Sequence, residues 1–186
     1  MDFPSSYNEY AALPDLVPNT LRYLFESDED IWKLLKYSSV DALSKPNLTL
    51  AEKRALIYDG LGEQDKFRIF RQPFMEDVFN EQVCQLRVYS TQISPTNRIL
   101  GVVDICFELL CHNKIITLQG GQYNRMEVMV QRLIQALNGQ DIGGVGKMFF
   151  DQQGQFSNRV TLTIYNNRNY VGYRAVFSVR VGAEDV

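Results

Sequence analysis

RMEVMVQRLIQALNG, Arg125 to Gly139, is the stretch that decides how the rest of the chain can be arranged. Its apolar side chains fall at Met126, Met129, Val130, Leu133, Ile134 and Leu137, while Glu127, Gln131, Arg132 and Gln135 take the other side. This three-and-four spacing predicts an α-helix with one buried face. Asn138 and Gly139 end it, because glycine enters the left-handed conformation that closes a helix without a Cβ clash. Strand-like runs lie on both sides of it, so its apolar face belongs against a β-sheet.

Upstream, from Val83, the period is two. Cys84, Leu86 and Val88 alternate with Gln85, Arg87 and Tyr89, the pattern of a half-buried strand. The turn-rich SPTNR returns the chain into a longer strand, where Val103, Ile105, Phe107 and Leu109 alternate with Asp104, Cys106, Glu108 and Leu110. These two strands are expected to pair as a hairpin. Downstream, NGQDIGGVG leads from the helix to Lys147–Phe150, and the turn DQQG precedes Val160, Leu162 and Ile164, which alternate with Thr161, Thr163 and Tyr165. After Asn166, Asn167 and Asn169, the residues Val171, Tyr173, Ala175, Phe177, Val179 and Val181 face one way and Arg174, Ser178 and Arg180 the other. The fold class is α+β: a helical N-terminal part, then a mostly antiparallel sheet of about four to six strands with one long helix over about 125–138 packed on it.

Residues 1–18 contain Pro4, Pro14 and Pro18 among polar residues, which predicts an extended arm. Phe3, Tyr7, Tyr10 and Leu13 are its anchors, able to lie over this domain or a neighbour. Residues 19–186 are expected to form a single domain, with 19–59 helical, 60–80 a long connection and 81–182 the sheet and helix. Asn19 or Thr20 is suited to cap a first helix, and Ser27 followed by Asp30 to open a second. Thr49 with Glu52 is a capping box for a third. Gly60, Gly62 and Pro73 break up the apolar connection that follows.

At 186 residues and 45% apolar, the chain fills one core, and its formal charge of -3 without a dense basic run disfavours a general nucleic-acid binder. Charge is uneven: residues 1–30 hold seven acids against Arg22 alone, while 152–183 hold Arg159, Arg168, Arg174 and Arg180 and no acid. Cys84, Cys106 and Cys111 have no paired spacing and are expected as apolar fillers in a reducing compartment. There is no signal-peptide pattern and no apolar run near the ~20 residues that span a bilayer. Folding in a cytoplasm, without a membrane, is the expectation.

Candidate chemistry is thin. His112 is the single histidine and no serine lies in a nucleophile-elbow pattern, which disfavours serine hydrolysis. His112 beside Cys111 is half a zinc site at most, because adjacent strand residues point to opposite faces. Asp104 and Glu108 share a strand face like the carboxylates of a metal-dependent nuclease, but four strand residues separate them by ~13 Å, too far to share an ion. The glycines of NGQDIGGVG follow a helix instead of preceding one, the reverse of a phosphate loop. Tyr165, Tyr170 and Tyr173 with Arg168 and Arg174 can stack bases or form a protein interface, and the acidic whole suits an interface better. No catalytic residue, metal or cofactor is expected.

The order of VVDICFELLCHN, RMEVMVQRLIQALNG, GGVGKMFF and NYVGYRAVFSV, with the pair Gly172 and Tyr173 in the last strand, resembles the neck proteins of tailed bacteriophages. DEDIWKLLKYSS, Asp28 to Ser39, is similar in tone to leading segments of such virion proteins. The resemblance spans roughly 83–181 and takes in tail terminators and head-closure proteins. It implies a non-enzymatic head–tail connector: a homo-oligomeric ring, sixfold or twelvefold, between portal or adaptor and tail-tube or sheath proteins. DNA would be only cargo through the lumen, and the protein would reside in the virion neck after assembly in the host cytoplasm. The connection 60–80 and the helical N-terminal third exceed the compact core of that family.

A closed ring needs two different, complementary surfaces on each subunit. Arg168, Tyr170, Arg174 and Arg180 are candidates for one, with Asp28, Glu29 and Asp30 as counterparts, the arm clasping a neighbour and Asp104 and Glu108 facing a lumen. The alternatives are a metal-dependent nuclease using Asp104 and Glu108, and a cytoplasmic adaptor binding a partner through the arm.

Overall fold

The chain folds into helices α1 (Leu16–Ser27), α2 (Asp30–Lys36) and α3 (Leu50–Ala55), then strands β1 (Ile69–Phe70), β2 (Cys84–Pro95) and β3 (Gly101–His112). A short hairpin, β4 (Thr117–Leu118) and β5 (Tyr123–Asn124), leads to α4 (Arg125–Leu137). Strands β6 (Asp141–Ile142), β7 (Gly146–Phe149), β8 (Val160–Ile164) and β9 (Tyr170–Val181) complete the fold. The structure, a computed structural model, describes residues 13–73, 82–95, 101–142, 146–150, 160–164 and 169–181.

The central sheet runs β1-β2-β3-β9, and the far edge of β9 is shared by β7 and β8, with β6 beyond β7. All its pairings are antiparallel except β1 with β2. The expected hairpin is present, β2 and β3 pairing from Cys84↔Cys111 to Pro95↔Gly101 with a register shift between Ser90 and Gln92. Among the described residues the sheet has seven strands, more than the four to six expected, because very short strands at its edges leave no periodic signal.

Along β7 and β8, Phe149 stands opposite Ser178 and Val160 opposite Ala175, so both strands share one edge of β9. Gly146, at φ +97°, strains any side chain placed there, and a Cβ would lie 3.0 Å from the Arg180 carbonyl oxygen.

One face of the sheet meets α4. Leu86, Val88, Ile105, Phe107, Leu109, Phe177 and Val179 close the core with Met126, Met129, Leu133 and Leu137 of the helix. Phe107 and Phe177 meet edge to face, with centroids 5.3 Å apart. Asn124 caps α4, its Oδ1 accepting the Met126 N–H at 2.9 Å. At the other end Gly139 takes φ +76° and its N–H reaches the Met148 carbonyl, 2.8 Å away.

The helical part buries Leu16, Leu21, Leu24, Ile31, Trp32, Leu34 and Leu35 in the same core. The Trp32 Nε1–H donates to the Leu24 carbonyl at 2.8 Å, and the ring stacks on Phe25 at 4.6 Å.

Several expectations are corrected here. The first helix begins at Leu16, inside the stretch 1–18 expected to be extended, and Thr20 lies within it, donating to the Leu16 carbonyl at 2.7 Å instead of capping. Asp28, not Ser27, caps α2 through its Oδ1 and the Ile31 N–H at 2.8 Å. The Thr49–Glu52 capping box is formed. Within the expected connection 60–80, Ile69 and Phe70 are fully buried as a parallel edge strand; residues 74–80 lie outside the described residues.

The half-buried pattern is also overturned: from Val83 to Tyr89 and from Val103 to His112 both faces are covered, Gln85, Arg87, Asp104 and Glu108 included.

Candidate functional site

The sheet face turned away from α4 gathers the polar residues of the three long strands. Register aligns Arg87, Glu108 and Arg174 in one row across β2, β3 and β9. Arg87 Nη1 lies 3.4 Å from Glu108 Oε2 and donates to the Pro73 carbonyl at 3.2 Å. Arg174 Nη2 donates to the Tyr89 hydroxyl at 2.7 Å.

Burial pushes the Tyr89 phenol up to about 12, and the bond from Arg174 offsets part of that rise. The same bond is the main reason the Arg174 guanidinium holds its proton even more tightly than usual. Burial also pushes the neighbouring Cys106 thiol up, which removes it as a nucleophile.

Two rows along the same face, Ser178 Oγ donates to Asp104 Oδ1 at 2.7 Å. Asp104 and Glu108 are therefore 9% and 7% exposed and each is partnered by its own sheet. Within the single chain both carboxylates, expected to face a lumen, are held against neighbouring side chains of the sheet and are nearly closed to solvent. This also separates them as a carboxylate pair, since each is matched to a different neighbour.

The acids expected at a subunit contact are partnered within the chain as well. Asp28 Oδ2 and Asp30 Oδ2 lie 3.9 Å and 2.5 Å from the Arg132 guanidinium of α4. Burial pushes the Asp28 carboxyl up, against the Ile31 N–H and Arg132. Glu29 Oε1 accepts from Lys53 Nζ at 2.6 Å, and Lys53 also donates to the Phe25 carbonyl and sits over Trp32.

Of the opposite set, Tyr170 is buried with its ring edge-on to His112 at 5.1 Å, and Arg174 is engaged with Tyr89. Arg180 is exposed and lies 5.7 Å over the Phe149 ring. Arg168 lies outside the described residues, as do Tyr165, Phe3, Tyr7 and Tyr10. Leu13 packs on the core of its own subunit. Cys111 enters the core while His112 turns to the other face, its Nδ1 accepting the Lys114 N–H at 3.1 Å.

Sequence reasoning passed over Arg125. It is fully buried, and its guanidinium donates to four carbonyls: Ile115 from Nε at 2.8 Å, Leu34 at 2.9 Å and Tyr37 at 2.8 Å from Nη1, and Ser39 from Nη2 at 2.8 Å. The signal was its place in the first turn of a helix, where the dipole disfavours a cation, so only tertiary partners explain it.

Arg125 and Arg132 lie on one flank of α4 and hold α2 and its approaches there. On the other flank a groove of about 360 Å³ opens between the helix and the strands, lined by Val130, Ile134, Val160 and Tyr173 with Glu127, Gln131 and Gln135 beside them. Val130 and Ile134, expected on the buried face, are half-buried at this edge of it.

Among the described residues no group of three or more His, Cys, Asp or Glu side chains is placed to hold a metal ion, and no helix is long and apolar enough to cross a membrane. A family model described as YomW, a phage-associated family, matches residues 28–179, from the cap of α2 into the last strand of the central sheet. No curated protein matches the chain.

Proposed function

The chain belongs to the phage-associated YomW family, and from that membership we propose that it is a non-enzymatic structural protein of a tailed-phage virion. In this reading it forms a homo-oligomeric ring, sixfold or twelvefold, in the neck that joins head to tail. Its neighbours there are portal or adaptor proteins on one side and tail-tube or sheath proteins on the other, with DNA passing as cargo.

The observation that carries this reading is the groove beside α4. Val130, Ile134, Val160 and Tyr173 present apolar surface at the edge of the core. Apolar surface gathered in one concavity is where association stabilises most, at ~25 cal/mol for each Å² removed from water. A ring contact is heterologous, so the groove needs a different surface on the next subunit, and the aromatic arm supplies one. The internal pairing of Asp28, Glu29 and Asp30 with Arg132 and Lys53 leaves apolar burial, not those acids, as the main term at the contact.

The test is the absolute mass of the purified protein over a wide concentration range, by light scattering and native mass spectrometry. A discrete sixfold or twelvefold assembly is expected at high concentration. A chain that stays monomeric throughout, and also when mixed with phage portal and tail-tube assemblies, would overturn the reading.

A further inference from the structure

The two flanks of α4 are used differently. One is occupied by the subunit's own N-terminal part: Arg132 pairs with Asp28 and Asp30, and Arg125 grips the Leu34, Tyr37 and Ser39 carbonyls at the end of α2. The other flank is the groove floored by Val130, Ile134, Val160 and Tyr173. The outer edge of β8 beside it pairs with no other strand among the described residues.

The arm enters the fold through Leu13 and α1, which runs directly into the segment that Arg132 and Arg125 fix on the far flank. Leu13 packs on the core of its own subunit, and the aromatic anchors Phe3, Tyr7 and Tyr10 precede it in the sequence. The twelve residues MDFPSSYNEYAA reach at most ~40 Å when extended, enough to cross onto an adjoining subunit.

We infer that the groove between α4 and the β8–β9 edge receives the N-terminal arm of a neighbouring copy of this chain, with Phe3, Tyr7 and Tyr10 as the inserted side chains. The inference rests on the ring reading above and names the site of its clasp. Aromatic side chains each bury ~150–250 Å² at small entropic cost and suit a groove with an apolar floor. The amides of Gln131 and Gln135 beside that floor offer donors and acceptors to the two tyrosine hydroxyls. Pro4 has no N–H to satisfy in such a contact. Because arm and groove are different surfaces, each subunit gives one arm and receives another, which is the contact a closed ring requires.

Two full-length variants test this when mixed: one carrying Ser6→Cys in the arm, the other Gln131→Cys beside the groove, with oxidised glutathione as the electron acceptor. The natural Cys84, Cys106 and Cys111 are buried and do not compete. A reducible disulfide between the two chains is expected, at least tenfold above a control mixture of Ser6→Cys with Val40→Cys, an exposed position outside the groove. Adding Ile134→Glu to the Gln131→Cys chain is expected to bring the yield down to the control.

A yield at control level overturns the inference. So does a disulfide that forms only within a single chain carrying both cysteines. Native mass of the same samples separates the two proposals: a ring without the disulfide removes the arm site and keeps the ring, while linked chains that never close keep the arm site and remove the ring.

Discussion

The guanidinium of Arg125, at the start of α4, donates to the carbonyl of Leu34, 2.9 Å away in the last turn of α2. Three further carbonyls, of Ile115, Tyr37 and Ser39, complete its shell. A fully buried cation is tolerated here because the C-terminal end of a helix offers unpaired carbonyls and partial negative charge. Arg125→Ala would orphan these acceptors and open a cavity, so it is expected to cost about 3 kcal/mol or more of unfolding free energy. Arg125→Lys should recover only part, since an ammonium does not span four separated carbonyls. The midpoint of urea unfolding measures both; a loss under about 1 kcal/mol for Arg125→Ala would show that the carbonyls find other donors.

His112 predicts a pH dependence with a definite sign. Its Nδ1 accepts the Lys114 N–H, which requires that nitrogen to be unprotonated, and burial followed by the Lys114 charge lowers its pKa below the ordinary 6.5. The unfolded chain takes up this proton first on acidification. The contribution is therefore fully present above pH 6.5 and is lost as pH falls through the lower folded value. As pH falls below 6.5, thermal unfolding of wild type should weaken more steeply than that of His112→Asn, whose amide oxygen keeps an acceptor. Parallel slopes would assign the acid sensitivity to other groups.

Tyr89 gives the alkaline counterpart. Burial raises its phenol from 10 to about 12, and the phenol is hydrogen-bonded to Arg174. The folded state retains a proton that the unfolded state loses first, so this contribution is present below pH 10 and disappears as pH rises toward 12. Absorbance titration should show one tyrosine ionising about two pH units late and only on unfolding. Arg174→Leu removes the donor that favours phenolate, so Tyr89 should ionise later still; earlier ionisation would contradict burial as the leading cause.

Local signals carried much of this fold and failed at identifiable places. The Arg125–Leu137 helix, its end at Asn138 and Gly139, the Thr49–Glu52 box and the β2–β3 hairpin depend on short-range spacing, and all were legible. Two-sided burial was misread because Gln85, Arg87, Asp104 and Glu108 look like a solvent face. Yet Cys106 and Leu110 on the same face are apolar, the mark of a strand covered on both sides. The Arg87–Glu108–Arg174 row, the grip of Arg125 and the pairing of Arg132 with Asp28 and Asp30 join residues far apart in sequence, which periodicity does not see. The groove was hidden for a related reason: Val130 and Ile134 share the apolar face of α4 with its core residues, and only the β8–β9 edge determines which of them stay half-open.

The capping box makes a smaller, cleaner prediction. Thr49 Oγ1 accepts the Glu52 N–H and the Glu52 carboxylate returns to the Thr49 N–H at 2.9 Å. Those Thr49 bonds, backbone first, hold the Glu52 carboxyl below its ordinary 4.5. Thr49→Ala is expected to cost about 1 kcal/mol and Thr49→Ser much less. Equal losses for the two substitutions would mean that the hydroxyl contributes nothing.

Leu133 and Ile134 are adjacent on α4 and should respond in opposite ways. Leu133 is fully buried against the sheet, whereas Ile134 is half-buried along the groove. Leu133→Ala removes a core side chain and leaves a cavity, so about 2–5 kcal/mol of stability should be lost, and assembly would weaken only through the unfolded fraction. Ile134→Gln places a good helix former at a half-open position, so its cost should stay within about 1 kcal/mol. If the groove takes up apolar side chains from a neighbour, that same substitution should lower association at least tenfold while the monomer melts almost where wild type does. Should Ile134→Gln destabilise the monomer as much as Leu133→Ala, the groove belongs to the subunit's own core and the apolar contact between copies must lie elsewhere.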